Sequence, residues 1–167
     1  MWAKPFLLTY LIFTSTFTDG FKQNVRDMYV KSVTDKQQTQ LLLNLLSKQE
    51  QTPFVLGYTG ATKMIMSKHA FNPFTKLSYF NSGKKLLQSA IAKDKNNAEL
   101  IFLRYAIQVS APGILGYNDS ISTDKKQILI ALNNQSMDEK LAKSMVSFMR
   151  DQKLTAGEKQ LLLNIFK

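Results

Sequence analysis

Apolar residues recur along this chain at intervals of three and four, and strand-like alternation is nowhere sustained. Over 73–93 the positions Leu77, Phe80, Gly83, Leu87, Ala90 and Ile91 make one stripe suited to burial, and over 98–109 Leu100, Leu103 and Ile107 repeat the spacing. A leucine-rich stretch over 34–49 (Leu41, Leu42, Leu43, Leu45, Leu46) gives a face wide enough to need two neighbours. The segment 53–68 has a small-residue side of Gly57, Gly60 and Ala61, which would let another helix come close. Its glycines weaken it by about 1 kcal/mol each relative to alanine, so close packing has to compensate. A helix over 21–33 presents Val25, Met28, Tyr29 and Val33, and others are predicted near 123–133, 137–152 and 156–166. The expected fold class is all-α, an array of seven to eight short helices in antiparallel hairpins.

The polar residues between these stripes supply start signals. Thr52-Pro53 and Asn72-Pro73 each read as an N-cap followed by proline at the first helical position, where its missing N–H costs nothing. Ser136-Met137-Asp138-Glu139 and Thr155-Ala156-Gly157-Glu158 have capping-box spacing, Thr34-Asp35-Lys36-Gln37 is the glutamine version, and Asn96-Asn97 caps the helix that follows it. The segment 111–122 is the one long irregular stretch, with Pro112, Gly113 and Gly116. Its Ile114, Leu115 and Tyr117 predict a loop packed onto the helices. Pro53-Phe54-Val55-Leu56-Gly57-Tyr58 is echoed by Pro112-Gly113-Ile114-Leu115-Gly116-Tyr117, a hint of stacked helical pairs.

Composition narrows the chemistry. With 167 residues and 44% apolar content the chain can bury a core. It has no cysteine and one histidine, His69, which excludes disulfides, thiolate catalysis and His- or Cys-rich metal sites. No cofactor or metal is expected. Lys4 followed by the apolar run from Phe6 to Phe13 and then small and polar residues reads as an export signal over 1–20, leaving one helical domain over 21–167. The apolar run falls well short of the roughly 20 residues that span a bilayer. An exported domain without disulfides fits a bacterial periplasm, so the expected location is periplasmic or secreted.

The formal net charge is +10, and no acidic residue lies between Glu50 and Asp94, an interval holding Lys63, Lys68, Lys76, Lys84, Lys85 and Lys93. Such a face attracts anionic partners or simply serves solubility. Arginine is confined to Arg26, Arg104 and Arg150, and nucleic acid is not expected as a partner.

Gly83-Lys84-Lys85-Leu86-Leu87-Gln88-Ser89-Ala90-Ile91-Ala92-Lys93-Asp94-Lys95-Asn96-Asn97-Ala98-Glu99 resembles the second helix and turn of a tetratricopeptide repeat, with Lys95 where that family has proline. The resemblance covers one half-repeat and implies a partly tetratricopeptide-like array. The strings Ser67-Lys68-His69-Ala70-Phe71-Asn72-Pro73-Phe74-Thr75-Lys76-Leu77, Ile101-Phe102-Leu103-Arg104-Tyr105 and Leu115-Gly116-Tyr117 are similar to a family of small, exported, uncharacterised bacterial helical proteins. That resemblance implies an exported all-helical domain and no activity.

Candidate binding residues are Lys68, His69, Asn72, Lys76, Arg104 and Tyr117; no catalytic or metal-binding set is nominated. His69 can carry a proton or contact an anion, or it can close a helix C-terminus, where a cationic imidazole is favourable. Arg104 sits among Ile101, Phe102, Leu103 and Tyr105, placed to reach a carboxylate such as Asp119 or Asp124, or an anionic ligand. Phe71, Phe74, Tyr79, Phe80 and Tyr117 could line a groove, but their helical spacing assigns most of them to the core. No Gly-x-Ser-x-Gly elbow occurs, and one histidine leaves little for a triad. These features together predict a non-enzymatic binding or scaffold module of the cell envelope. It would meet a protein or peptide partner, which could be acidic, through the face of the third to fifth helices and the 112–122 loop. The rival is a small periplasmic enzyme or ligand carrier with a site near Arg104 and the 111–122 loop. Peripheral contact with an anionic membrane is a third possibility.

Overall fold

The computed structural model describes the backbone of residues 6–135 and 137–166, and side chains from Asp19 onward. Among the described residues every regular element is helical: α1 (Phe6–Ser32), α2 (Lys36–Ser47), α3 (Pro53–His69), α4 (Pro73–Lys93), α5 (Ala98–Ser110), a 3₁₀ turn (Gly113–Leu115), α6 (Ile121–Asn133), α7 (Glu139–Arg150) and α8 (Ala156–Asn164). Residues 1–5 of the expected export segment, and its side chains through Thr18, lie outside the described residues. The helix expected over 21–33 is the second half of α1, which continues through Gly20. No helix among the described residues is long and apolar enough to cross a membrane.

The chain divides into two compact units, Met1–Leu86 and Leu87–Lys167. In the first, α2 lies against both α1 and α3, as its broad leucine face requires. Leu42 and Leu46 are fully buried, whereas Leu41 is exposed on the outer side. Val25 of α1 is buried, and rings tie α1 to α3: Tyr29 meets Tyr58 edge-on at 5.4 Å between centroids, and Phe21 meets Phe54 at 6.4 Å. Val33 falls beyond the end of α1 and is exposed, so it is not part of the inner face. The small-residue side of α3 is where α4 comes close. A Cβ placed on Gly83 would lie 2.5 Å from the Gly60 carbonyl oxygen and 2.9 Å from the Met64 amide nitrogen.

In the second unit α5 pairs with α6, and α8 packs on both α6 and α7. Its core joins Ile101, Tyr105, Ile128, Leu132, Met145, Met149 and Leu162. Leu141, Ala142, Met145, Val146 and Met149 place one side of α7 in that core at helical spacing. Phe148 meets Phe102 edge-on at 5.4 Å.

The caps explain where these helices begin. Thr52, Asn97 and Thr155 cap α3, α5 and α8 as expected, and at Thr155 both halves of the capping box are formed. Asn72 Oδ1 accepts from the amides of Phe74 (2.8 Å) and Thr75 (3.3 Å) at the start of α4. One start differs from expectation, and another rests partly on a residue outside the described ones. Asp35, not Thr34, caps α2, accepting from the amides of Gln37 and Gln38. Asp138 caps α7 through the Leu141 amide, and the expected cap Ser136 lies outside the described residues. At α2 the carboxylate of Asp35, two and three residues from those amides, is a stronger acceptor than the Thr34 hydroxyl one position earlier.

Candidate functional site

His69 ends α3, and its Nε2 lies 3.1 Å from the carbonyl oxygen of Ser32, the last residue of α1. A carbonyl can only accept, so Nε2 carries the proton in this contact. Thr39 Oγ1 donates to the same oxygen at 2.9 Å. The histidine thus closes a helix C-terminus, but that of α1 instead of its own. Asn72 is committed to the first amides of α4. Lys68 and Lys76 are exposed on either side of this turn.

Between them lies a departure from expectation. Phe71 and Phe74 are not core residues: they are 102% and 83% exposed, and Leu77 is 50% exposed. Phe80 is buried and Tyr79 half-buried. The helical period alone does not decide burial here: Phe71 precedes the first residue of α4, and Phe74 and Leu77 in its first turns are exposed while Phe80, Leu87 and Ala90 further along are buried.

In the second unit Arg104 grips Asp124 with both arms: Nε donates to Oδ2 at 2.8 Å and Nη2 to Oδ1 at 2.6 Å. The carboxylate is fully buried and the guanidinium mostly so. Hydrogen bonding to Asp124 raises the Arg104 pKa further above its ordinary value, against the opposing effect of burial. The pair fastens α5 to the first turn of α6. Tyr117 is buried beside it, and its phenol is pushed up to about 12, first by burial and then by Asp124 and Asp119, with Arg104 pulling the other way. Tyr117 therefore anchors the 111–122 loop as expected, whereas Ile114 points to solvent at 94% exposure. Gly116 closes the 3₁₀ turn at φ 55°, a left-handed conformation strained for any residue with a Cβ.

The six nominated residues are thus distributed over both units. Lys68, His69, Asn72 and Lys76 belong to the first, Arg104 and Tyr117 to the second.

Sequence reasoning did not nominate a surface feature of the second unit. An open groove of about 640 Å³ lies along α6 and α8, lined by the apolar Leu129, Ile130 and Leu161 and by Asn133, Asn134 and Glu158. Lys125 and Lys126 line it as well. Lys125 Nζ reaches Glu158 at 2.9 Å, tying α6 to the α8 cap, and Lys126 is exposed. The available signal was Ile130, an apolar residue on the polar side of α6 that the structure leaves half exposed. Among the described residues no group of three or more metal-ligating side chains occurs.

No family model, curated protein or solved structure gives a significant match to this chain. What the molecule can offer a partner is therefore set by the chemistry of its own surfaces.

Proposed function

We propose that this chain is a non-enzymatic binding or scaffold module of the bacterial cell envelope, holding a protein or peptide partner with acidic side chains on its basic helical surface. The observation that carries the proposal is the α6–α8 groove. Its lining of apolar side chains, side-chain amides and lysines suits an amphipathic segment whose apolar side chains cover Leu129, Ile130 and Leu161; Glu158 lines the groove too but is paired with Lys125, so the segment's carboxylates meet Lys126. The commitments of the polar residues agree with this. Arg104 is engaged by Asp124 and His69 by the Ser32 carbonyl, so their polar atoms serve the scaffold. Export is part of the proposal and is supported by the sequence of Lys4 and the apolar run after it. The turn Asp94–Asn97, in which Asn97 Nδ2 donates to Asp94 Oδ2 at 2.8 Å while Oδ1 caps α5, supports the tetratricopeptide-like reading of that half-repeat.

Photo-crosslinking in the native host tests the proposal. A photoreactive residue replacing Lys126 or Ile130 should trap one discrete partner, and the same residue replacing Lys143 on the exposed side of α7 should not. Charge reversal by Lys126→Glu should abolish the adduct formed from position 130. Equal labelling from all three positions, or tight retention of a small metabolite with no protein adduct, would overturn the binding-module reading.

A further inference from the structure

We infer that the α3–α4 turn is a docking edge for an anionic lipid surface, with Phe71 and Phe74 entering the interface and Lys68 and Lys76 facing the headgroups. Residues 71–78 form the longest unbroken run of exposed residues among the described ones. Within it stand Phe71 at 102%, Phe74 at 83% and Leu77 at 50% exposure, three large apolar side chains spaced at three along the turn and the start of α4. Scattered exposed apolar residues are ordinary, but two whole phenyl rings within four positions represent a large unfavourable hydrated area.

Two properties identify the occupant. The first is charge: no acidic residue occurs between Glu50 and Asp94, and Lys63, Lys68, Lys76, Lys84 and Lys85 of the first unit fall in that interval. Lysine, a compact charge on a flexible stem, is suited to a diffuse layer of headgroups, whereas bidentate protein contacts favour arginine, absent from this interval. The second is shape. A side chain exposed as fully as Phe71 has no wall beside it, so the edge is a projection and not a groove. A projection with two aromatic tips needs a soft partner into which it can sink, and a bilayer interface supplies that without a matching pocket. The docking edge shares no residue with the α6–α8 groove, and either assignment can fail alone.

The test uses the full chain with vesicles of phosphatidylcholine containing roughly one third phosphatidylglycerol, against phosphatidylcholine alone. The chain should float with the anionic vesicles at low salt and much less with neutral ones. Phe71→Ser/Phe74→Ser should weaken binding at least about tenfold, through lost apolar burial. Lys68→Gln/Lys76→Gln should weaken it by roughly fivefold per lysine at low salt, with the difference closing at high salt. All four positions are exposed, so the fold should be unaffected. Because the chain also carries the apolar run Phe6–Phe13, a local probe is needed. In a Trp2→Phe/Phe74→Trp variant, indole emission should shift to the blue with anionic vesicles. Undiminished binding by the serine variant, an unshifted indole, or equal binding to neutral vesicles would overturn the inference. So would a dimer in sedimentation that the serine variant dissolves, which would assign the edge to a second copy of the chain.

Discussion

At the scale of single residues the structure turns the most unusual side chains of the sequence into fasteners. Arg104 was legible as an arginine in an apolar helix that needed a carboxylate, and Asp124 was one of two within reach; only the fold could choose between them. The choice is Asp124, fully buried and doubly hydrogen-bonded. Removing one partner should therefore cost far more than removing both. Arg104→Leu leaves a buried carboxylate without its counterion and should destabilise by about 3–5 kcal/mol, whereas Arg104→Leu/Asp124→Leu should recover most of that loss. Urea unfolding of the two variants checks this, and equal losses would mean the pair is not coupled. Tyr117 gives a pH-dependent companion to the same contact. Its folded pKa of about 12 lies above the ordinary tyrosine value, so its contribution is complete below pH 10 and declines as pH rises toward 12. Stability should fall across that window in the wild type and fall less steeply in Tyr117→Phe. Absorbance titration should show one late phenolate that the variant lacks.

At the scale of elements, caps and periodicity located most of the helices because both are short-range. Thr52, Asn72, Asn97 and Thr155 act on amides two or three residues away, so the signal is complete within the motif. Thr34 failed as a signal for the same local reason: Asp35 stands next to it and takes the amides of Gln37 and Gln38 instead. Periodicity failed at Phe71, which precedes α4, and at Phe74 in its first turn, since spacing along a helix does not say which of its turns are covered. The small-residue side of α3 was legible, although its partner was not. That partner is α4 at Gly83, and the prediction is specific to backbone atoms. Gly83→Ala places a methyl against the Gly60 carbonyl and the Met64 amide, neither of which can rotate away, and should cost about 1–3 kcal/mol. Gly157→Ala, in the first turn of α8 with nothing within 4 Å, should instead stabilise by up to about 1 kcal/mol. Thermal unfolding of the two variants should move the midpoint in opposite directions. A neutral Gly83→Ala would mean the two helices can part there at no cost.

At the scale of the whole molecule the candidate sites were less legible than the fold, because a surface is defined by residues distant in sequence. The groove needs α6 beside α8, and the proposed lipid-docking edge rests on the exposure of 71–78; neither is a pattern within one window. The net charge is the exception, since it adds up regardless of topology. With 22 Lys and Arg against 12 Asp and Glu, the carboxylates restrain the self-repulsion of the chain. Glu158 does so with a structural role, its carboxylate held below the usual range first by the Thr155 amide and then by Lys125. Glu139 is lowered by Lys143 in the same direction. A depressed folded pKa contributes stability that is present above the unfolded value and is lost as pH falls through the folded one. The unfolding midpoint should hold steady from neutral pH down to about 5 and drop below about 4. Two causes of that drop separate experimentally. Repulsion among unopposed lysines is screened, so added salt at about 0.5 M should restore part of the midpoint in acid. The part due to the α8 cap is short-range, so salt should not restore it, and Glu158→Gln should remove that part of the slope while lowering the neutral midpoint. An acid drop fully reversed by salt in the wild type would assign the whole effect to charge and leave Glu158 no structural share.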